Sequence, residues 1–206
     1  MSKVKLVWAT PDAERLIAYM ARVSNPENQN NYDTSAKLLK YLIDNKHWSP
    51  FEMVNVCMEI ETTRDIARQI LRHRSFSFQE FSQRYAVADG FEISEARAQD
   101  VKNRQNSLPY DDDDEGLQEW WRLAQERVLD EARYVYGLAL ETGIAKEVAR
   151  KVLPEGLTSS RMYMNGTLRS WLHYCDIRCD DSTQKEHREV ATQCRDIIKE
   201  LFPSLF

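Results

Sequence analysis

The stretch Val54-Asn55-Val56-Cys57-Met58-Glu59-Ile60-Glu61-Thr62-Thr63-Arg64-Asp65-Ile66-Ala67-Arg68-Gln69-Ile70-Leu71 changes its hydrophobic period midway. Val54, Val56, Met58 and Ile60 alternate with Asn55, Cys57, Glu59 and Glu61, the two-residue repeat of a strand. Beyond Thr63, a residue suited to cap a helix, Ile66, Ala67, Ile70 and Leu71 take up helical spacing. On another face Arg64, Arg68 and Arg72 recur every four residues, and Arg64 reads as part of a solvated basic face. A strand that feeds straight into a helix sets the pattern for an α+β, helix-rich domain with a small mixed or antiparallel sheet.

Downstream the helix runs into Arg72-His73-Arg74-Ser75-Phe76-Ser77-Phe78-Gln79-Glu80-Phe81-Ser82-Gln83-Arg84. Three arginines, a histidine and three serines crowd this span although the chain as a whole carries a net charge of −5. Guanidinium forks suit phosphate oxygens and flat, electron-rich rings, and hydroxyls add short-range donors. The same residues also suit a solvated, salt-bridged loop, and composition alone leaves both readings open. Arg84 to Val87 is expected to begin a further strand.

Upstream, Val4, Leu6 and Trp8 mark a half-buried strand over 3–8, and Thr10-Pro11 opens a helix carrying Leu16, Ile17, Met20 and Val23. A second helix is expected from about Thr34 to Ile43. His47-Trp48-Ser49-Pro50-Phe51-Glu52 reads as a rigid turn around its proline. Residues 88–116 form the least structured region, a variable loop with an acidic run from Asp111 to Glu115.

A long amphipathic helix follows from about Leu117 to Leu140, with Leu117, Trp121, Ala124, Val128, Val135 and Leu138 as its buried stripe and Gly143 as its stop. A shorter helix spans Ala145 to Val152 and carries Arg150. Thr158 to Asn165 is a strand, and Gly166-Thr167 opens a helix with Leu168, Trp171, Leu172 and Cys175 apolar and Arg169, His173 and Arg178 on its polar side. Asp181, with Gln184 three later, resembles a capping box for the last helix.

A chain of 206 residues most simply makes one domain, 1–206, burying roughly 70% of its unfolded surface. No apolar run approaches the about 20 residues of a membrane span, and Met1-Ser2-Lys3-Val4 starts no signal peptide. A cytoplasmic protein with reduced Cys57, Cys175, Cys179 and Cys194 is the expectation. The acidic total argues against a dedicated nucleic-acid binder. No Gly-x-Ser-x-Gly, His-Glu-x-x-His or Cys-x-x-Cys occurs, nor any glycine-rich phosphate loop, so triads, metal centres and Rossmann-type cofactor sites find no support. Arginines with serines, amides and Glu80 remain, which is equipment for an anionic nucleotide and a flat cofactor.

These residues resemble a known family. Arg72-His73-Arg74, seven residues, then Ser82 matches the Arg-His-Arg-x7-Ser signature of the flavin-dependent thymidylate synthases, with Ser77, Glu80, Arg84 and Tyr85 also in register. His47-x-Ser-Pro-Phe-Glu, Gln69, Arg150-Lys-Val-Leu-Pro and Ile177-Arg178 resemble further family blocks. The resemblance implies that family's fold and its reaction, conversion of dUMP to dTMP. Methylenetetrahydrofolate would donate the carbon, FAD would carry the hydride and NADPH would reduce the flavin. It also implies a homotetramer with active sites shared between subunits.

Carried onto this chain, the family pattern places Ser49, Arg72, His73, Arg74 and Glu80 at FAD, with Thr167, Leu168, Arg169 and His173 as a second flavin block. Gln69, Arg72, Glu80, Phe81, Ser82, Gln83, Arg84 and Arg150 would hold dUMP. Arg178 would polarise the uracil ring. Gln79 and Thr167 stand where many members have asparagine, though both keep a polar side chain. A reading from another class is a non-catalytic nucleotide- or RNA-binding module using the arginine cluster.

Overall fold

A computed structural model of the chain describes residues 2–110 and 115–206; Asp111 to Asp114 of the expected acidic run lie outside the described residues. The sequence pattern holds at the centre: β2 (Asn55–Thr63) passes directly into α3 (Arg64–Ile70). The same device recurs where β6 (Ser159–Thr167) passes into α6 (Leu168–Arg178), and these two units form the middle of the molecule. β2 and β6 pair antiparallel along their whole length, from Asn55 opposite Thr167 to Thr63 opposite Ser159. β1 (Lys3–Ala9) flanks β2 and β3 (Phe76–Glu80) flanks β6, giving a four-stranded sheet in the order β1-β2-β6-β3. Every pairing is antiparallel, so the sheet is not mixed.

One face of the sheet packs on helices. Val56, Met58, Ile60, Met162 and Met164 are fully buried there, beneath Trp171 and Tyr174 of α6 and Val190, Cys194 and Ile198 of α7 (Lys185–Leu201). Burying an apolar side chain of this size contributes about 1.5–3 kcal/mol. The Trp171 indole N–H donates to the Val56 carbonyl at 3.0 Å and so fixes α6 over β2. α1 (Ala13–Ala21) and α2 (Ser35–Asp44) close the other end of the core through Ile17, Ala18 and Leu39.

Several local expectations change. β1 is mostly exposed, with Leu6, Val7 and Trp8 each above two-fifths accessible, because it is an edge strand with a register shift between Leu6 and Trp8. The Ser49–Met53 turn is a short 3₁₀ helix. Arg84 to Val87 forms no strand; the Ser82 carbonyl accepts from the amides of both Tyr85 and Ala86 at 3.0 Å, which closes a helical turn instead. Asp181 does not cap α7, whose N-cap position is Gln184.

The 88–116 region has its own hairpin, β4 (Arg97–Gln99) with β5 (Ser107–Pro109). The long helix α4 (Glu115–Glu141) holds this region by two glutamines. Gln125 binds Ser94 and Gln118 binds Ala96, each pairing its amide with both the backbone N–H and C=O of its partner. α4 buries Gln125, Leu129, Ala132 and Tyr136 rather than the expected stripe, and Val128 and Leu138 stay about half exposed. Gly143 takes φ +84° at the helix stop, and α5 (Lys146–Ala149) follows.

Candidate functional site

Strand order brings the distant blocks together. β3 pairs with β6, so the Arg72–Arg84 stretch lies beside the strand that delivers α6. Where β3 meets β6, Phe76 stands opposite Gly166, and its ring packs edge-on to Trp171 at 4.8 Å. Leu168 and Trp171 are fully buried and anchor α6, leaving Arg169 and His173 exposed on its outer side.

Arg178 ends α6 and reaches His73 across 105 residues of sequence, its Nε donating to His73 Nε2 at 3.0 Å. An arginine has no acceptor, so the His73 proton resides on Nδ1 and the imidazole is neutral. Burial, then the Arg178 charge, then His173 lower the His73 pKa from 6.5 to about 4. With Nε engaged, the two Nη groups of Arg178 stay available as a fork of donors.

Behind His73 lies a row of polar side chains. His187 is fully buried, with Nε2 3.1 Å from the Tyr174 hydroxyl and Nδ1 3.2 Å from Gln69 Oε1. Burial above all lowers its pKa to about 3, with Arg178 and His73 adding to the effect. These two imidazoles couple folding to pH. Below about pH 6.5 the unfolded chain binds protons that the native histidines refuse, so stability is fully present above 6.5 and falls as pH drops toward 4. The melting temperature is therefore expected to decline between pH 7 and 5.5. A His73→Asn variant should show a shallower decline; an unaltered slope would exclude His73 as a contributor.

Glu80 is the hub of a second group. Its Oε1 accepts from Ser160 Oγ at 2.9 Å and lies 3.6 Å from Arg64, while Oε2 lies 3.4 Å from Arg68. Arg64 is not part of a solvated face: it is 9% exposed, and burial is the largest influence lowering its pKa, opposed by Glu80. Arg150 lies near enough to add to that depression. At the start of α6, Thr167 accepts from the Ser170 amide as its cap, while Thr167 and Arg169 each hold Glu52 at 2.7 Å. Those bonds lower the Glu52 pKa, the Thr167 hydroxyl most of all. Glu52 lies in the turn that carries the exposed Ser49 and the fully buried Phe51.

The Ser82 turn provides anion-binding equipment. The amides of Phe81, Tyr85 and Ala86 are committed to carbonyls, while those of Ser82, Gln83 and Arg84 have no backbone acceptor among the described residues. Consecutive open amides of this kind form a concave anion cradle. Gln83 is 4% exposed, and its Nε2 has no hydrogen-bond partner. Leaving a buried donor unmade costs about 1–3 kcal/mol, which a bound acceptor would recover. Arg84 pairs with Glu147 at 3.3 Å on the surface, and a cavity of about 450 Å³ lies between this turn and the start of α5. Arg72, Arg74, Arg150 and Arg178 make no ion pair among the described residues, unlike Arg64, Arg68, Arg84 and Arg169. Four guanidiniums left uncompensated around one motif, with open amides and an orphaned donor, fit an anionic nucleotide and a flavin dinucleotide.

The cavity beside Ser82 and Arg84 is lined by neither the Arg-His-Arg residues nor those of α6. A cavity of about 710 Å³ between α4, residues 92–97 and the start of α7 is lined by none of the predicted site residues. Sequence reasoning also missed Glu52, Arg64, Ser160, Tyr174, Gln184 and His187. One signal was readable for His187: it stands on the apolar stripe of α7 shared by Val190, Ala191, Cys194 and Ile198.

The family model described as "Thymidylate synthase complementing protein" matches residues 5–204. A relative from Synechocystis sp., named flavin-dependent thymidylate synthase, is 55% identical over 193 residues, covering 93% of this chain and 87% of its own length. A relative from Paramecium bursaria Chlorella virus 1, named probable flavin-dependent thymidylate synthase, is 52% identical over 194 residues, covering 94% and 88%. Among solved structures, the UMP/dUMP methylase PolB from Streptomyces cacaoi bound with 5-Br dUMP superposes with a TM-score of 0.87 at 26% identity, covering 100% of this chain and 93% of that one.

Proposed function

The chain belongs to the thymidylate synthase complementing protein family, the flavin-dependent thymidylate synthases, and from that premise we propose that it methylates dUMP reductively to dTMP. The observation that carries the reading is that Arg72, Arg74 and Arg178, on or against the Arg-His-Arg stretch, make no ion pair among the described residues, while the open amides of Ser82 to Arg84 and the unpaired Gln83 amide follow at the other end of β3. In this reading methylenetetrahydrofolate donates the carbon, NADPH supplies the reducing equivalents, and residues 1–206 act as one catalytic domain. FAD, when bound, carries the hydride.

The chain's own residues divide the remaining tasks. Arg72, Arg74 and His73, with Ser49 and the Thr167-Leu168-Arg169 block, hold the flavin. Gln69, Phe81, Gln83, Arg84 and Arg150 grip the nucleotide, whose phosphate sits on the amides at Ser82. Glu80 orders both groups from its position beside Arg64, Arg68 and Ser160. Arg178 directs its free Nη donors at the uracil, where a fixed cation stabilises negative charge at N3. His73 contributes by accepting from Arg178 Nε, which fixes the plane of that fork.

We read the active form as a cytoplasmic homotetramer with sites completed by neighbouring subunits. Trp120, Leu123, Val128, Tyr134 and Leu138 of α4 lie between 46% and 66% exposed, an apolar face of the size that subunit contacts cover. The four cysteines are free thiols, as suits a reducing compartment. Among the described residues no helix is long and apolar enough to cross a membrane.

Colour is the direct test. Purified protein should be yellow, its flavin absorbance should shift when dUMP is added, and dTMP should form once folate and NADPH are supplied. Arg74→Ala should lose FAD on dilution. Colourless protein that FAD cannot reconstitute would overturn the reading.

A further inference from the structure

Four hydrogen bonds behind the site run in one direction. The Tyr174 hydroxyl is fully buried and has His187 Nε2 as its acceptor, so the His187 proton lies on Nδ1 and is donated to Gln69 Oε1 at 3.2 Å. His187 Nε2 is then an acceptor, and the Tyr174 hydroxyl donates to it at 3.1 Å. Gln69 Nε2 donates to Gln184 Oε1 at 2.6 Å, and Gln184 Nε2 donates to the Glu186 carboxylate at 3.0 Å. A carboxylate accepts only, so the chain has a fixed end. Reversing the Gln69 amide would place its N–H₂ against the Nδ1–H of His187 and its oxygen against the oxygen of Gln184.

The start of the chain is just as fixed. Tyr174 and His187 are fully buried, so neither has water as an alternative partner. The row also backs His73, whose ring meets Tyr174 edge-on at 4.9 Å and His187 at 6.2 Å. Glu186 is held in turn by Arg97 at 2.6 Å.

We infer that His187 is a positioning residue: through the directed row Tyr174, His187, Gln69, Gln184 and Glu186 it sets which end of the Gln69 amide faces the nucleotide. The inference rests on the reading of Gln69 as a nucleotide contact. His187 itself touches no ligand; it acts through Gln69. One N–H and one lone pair of the Gln69 amide remain for the nucleotide, and the row decides where each points. An amide free to flip would present the wrong group half the time and leave a polar atom of the base unpaired.

Steady-state kinetics of the flavin-loaded enzyme test this on four variants: Gln69→Ala, His187→Leu, His187→Asn and the double variant Gln69→Ala/His187→Leu. His187→Leu should raise the dUMP KM by about tenfold, the equivalent of one unmade hydrogen bond, with FAD content retained. His187→Asn keeps an N–H where Nδ1–H stood and should recover most of that loss, which lost packing alone would not allow. In the Gln69→Ala background His187→Leu should raise KM no further. Gln184→Met, altered at a half-buried position outside the core, should raise KM in the same direction if His187→Leu folds poorly. Additive effects in the double variant, or equal KM for the Asn and Leu variants, would overturn the inference. An unchanged KM in Gln69→Ala would instead remove the nucleotide reading of Gln69, and this inference with it.

Discussion

Arg178→Ala is expected to lower turnover by about 10²–10³-fold, the scale of one lost donor at a developing negative charge, while FAD remains bound. The asymmetry follows from geometry. Among the described residues the Arg178 side chain bonds the protein through Nε and His73 Nε2 and makes no ion pair, so its removal breaks no carboxylate network. The flavin contacts assigned to Arg72, Arg74 and Arg169 stay in place. A second readout accompanies the first. The Arg178 charge is the second cause of the low His73 pKa, so its loss should raise that pKa above about 4 while burial, the larger cause, keeps it under 6.5. Turnover is checked under saturating dUMP, and the histidine by its ring NMR signals across pH. Normal turnover in Arg178→Ala would remove it from the chemistry.

The second large effect is structural. A Cβ on Gly166 would lie 2.4 Å from Phe76 Cδ1 and 2.7 Å from Cε1, inside any tolerable contact. The Phe76 ring has little room to retreat, because it is 8% exposed and packs against Trp171 at 4.8 Å and Tyr174 at 6.0 Å. Gly166→Ala is therefore expected to cost about 1–3 kcal/mol, an overpacking penalty, lowering Tm by roughly 2–4 °C for each kcal/mol. Because Phe76 lies two residues after Arg74, the same change should weaken FAD retention. Phe76→Leu removes the colliding edge, so the two substitutions together should cost less than the sum of each alone. Strict additivity in chemical denaturation would show that the clash is relieved elsewhere.

Legibility in the sequence followed locality. The switch from alternating to helical period located β2 with α3 and β6 with α6, because adjacent residues carry that signal. The Arg-His-Arg stretch and Ser82 were visible for the same reason. What failed depended on distant partners. Arg64 looked solvated because nothing nearby in sequence announces that Glu80, itself held by Ser160, will meet it. Apolar residues of α4 occur on more than one face, so periodicity could not choose between Val128 and Leu129. His187 carries no motif, and its worth depends on Tyr174 and Gln69 arriving from two other helices.

The placement of β3 beside β6 also sets a timetable. During synthesis the Arg-His-Arg stretch emerges about ninety residues before Gly166, the partner of Phe76, and strands so far apart in sequence pay loop closure before any contact rewards them. Until β6 and then α6 have left the ribosome, β3 has no neighbour, Glu80 has no Ser160 and His73 has no Arg178. Flavin uptake is thus a late event in the life of each chain, and ribosome-bound intermediates ending before residue 159 should carry none.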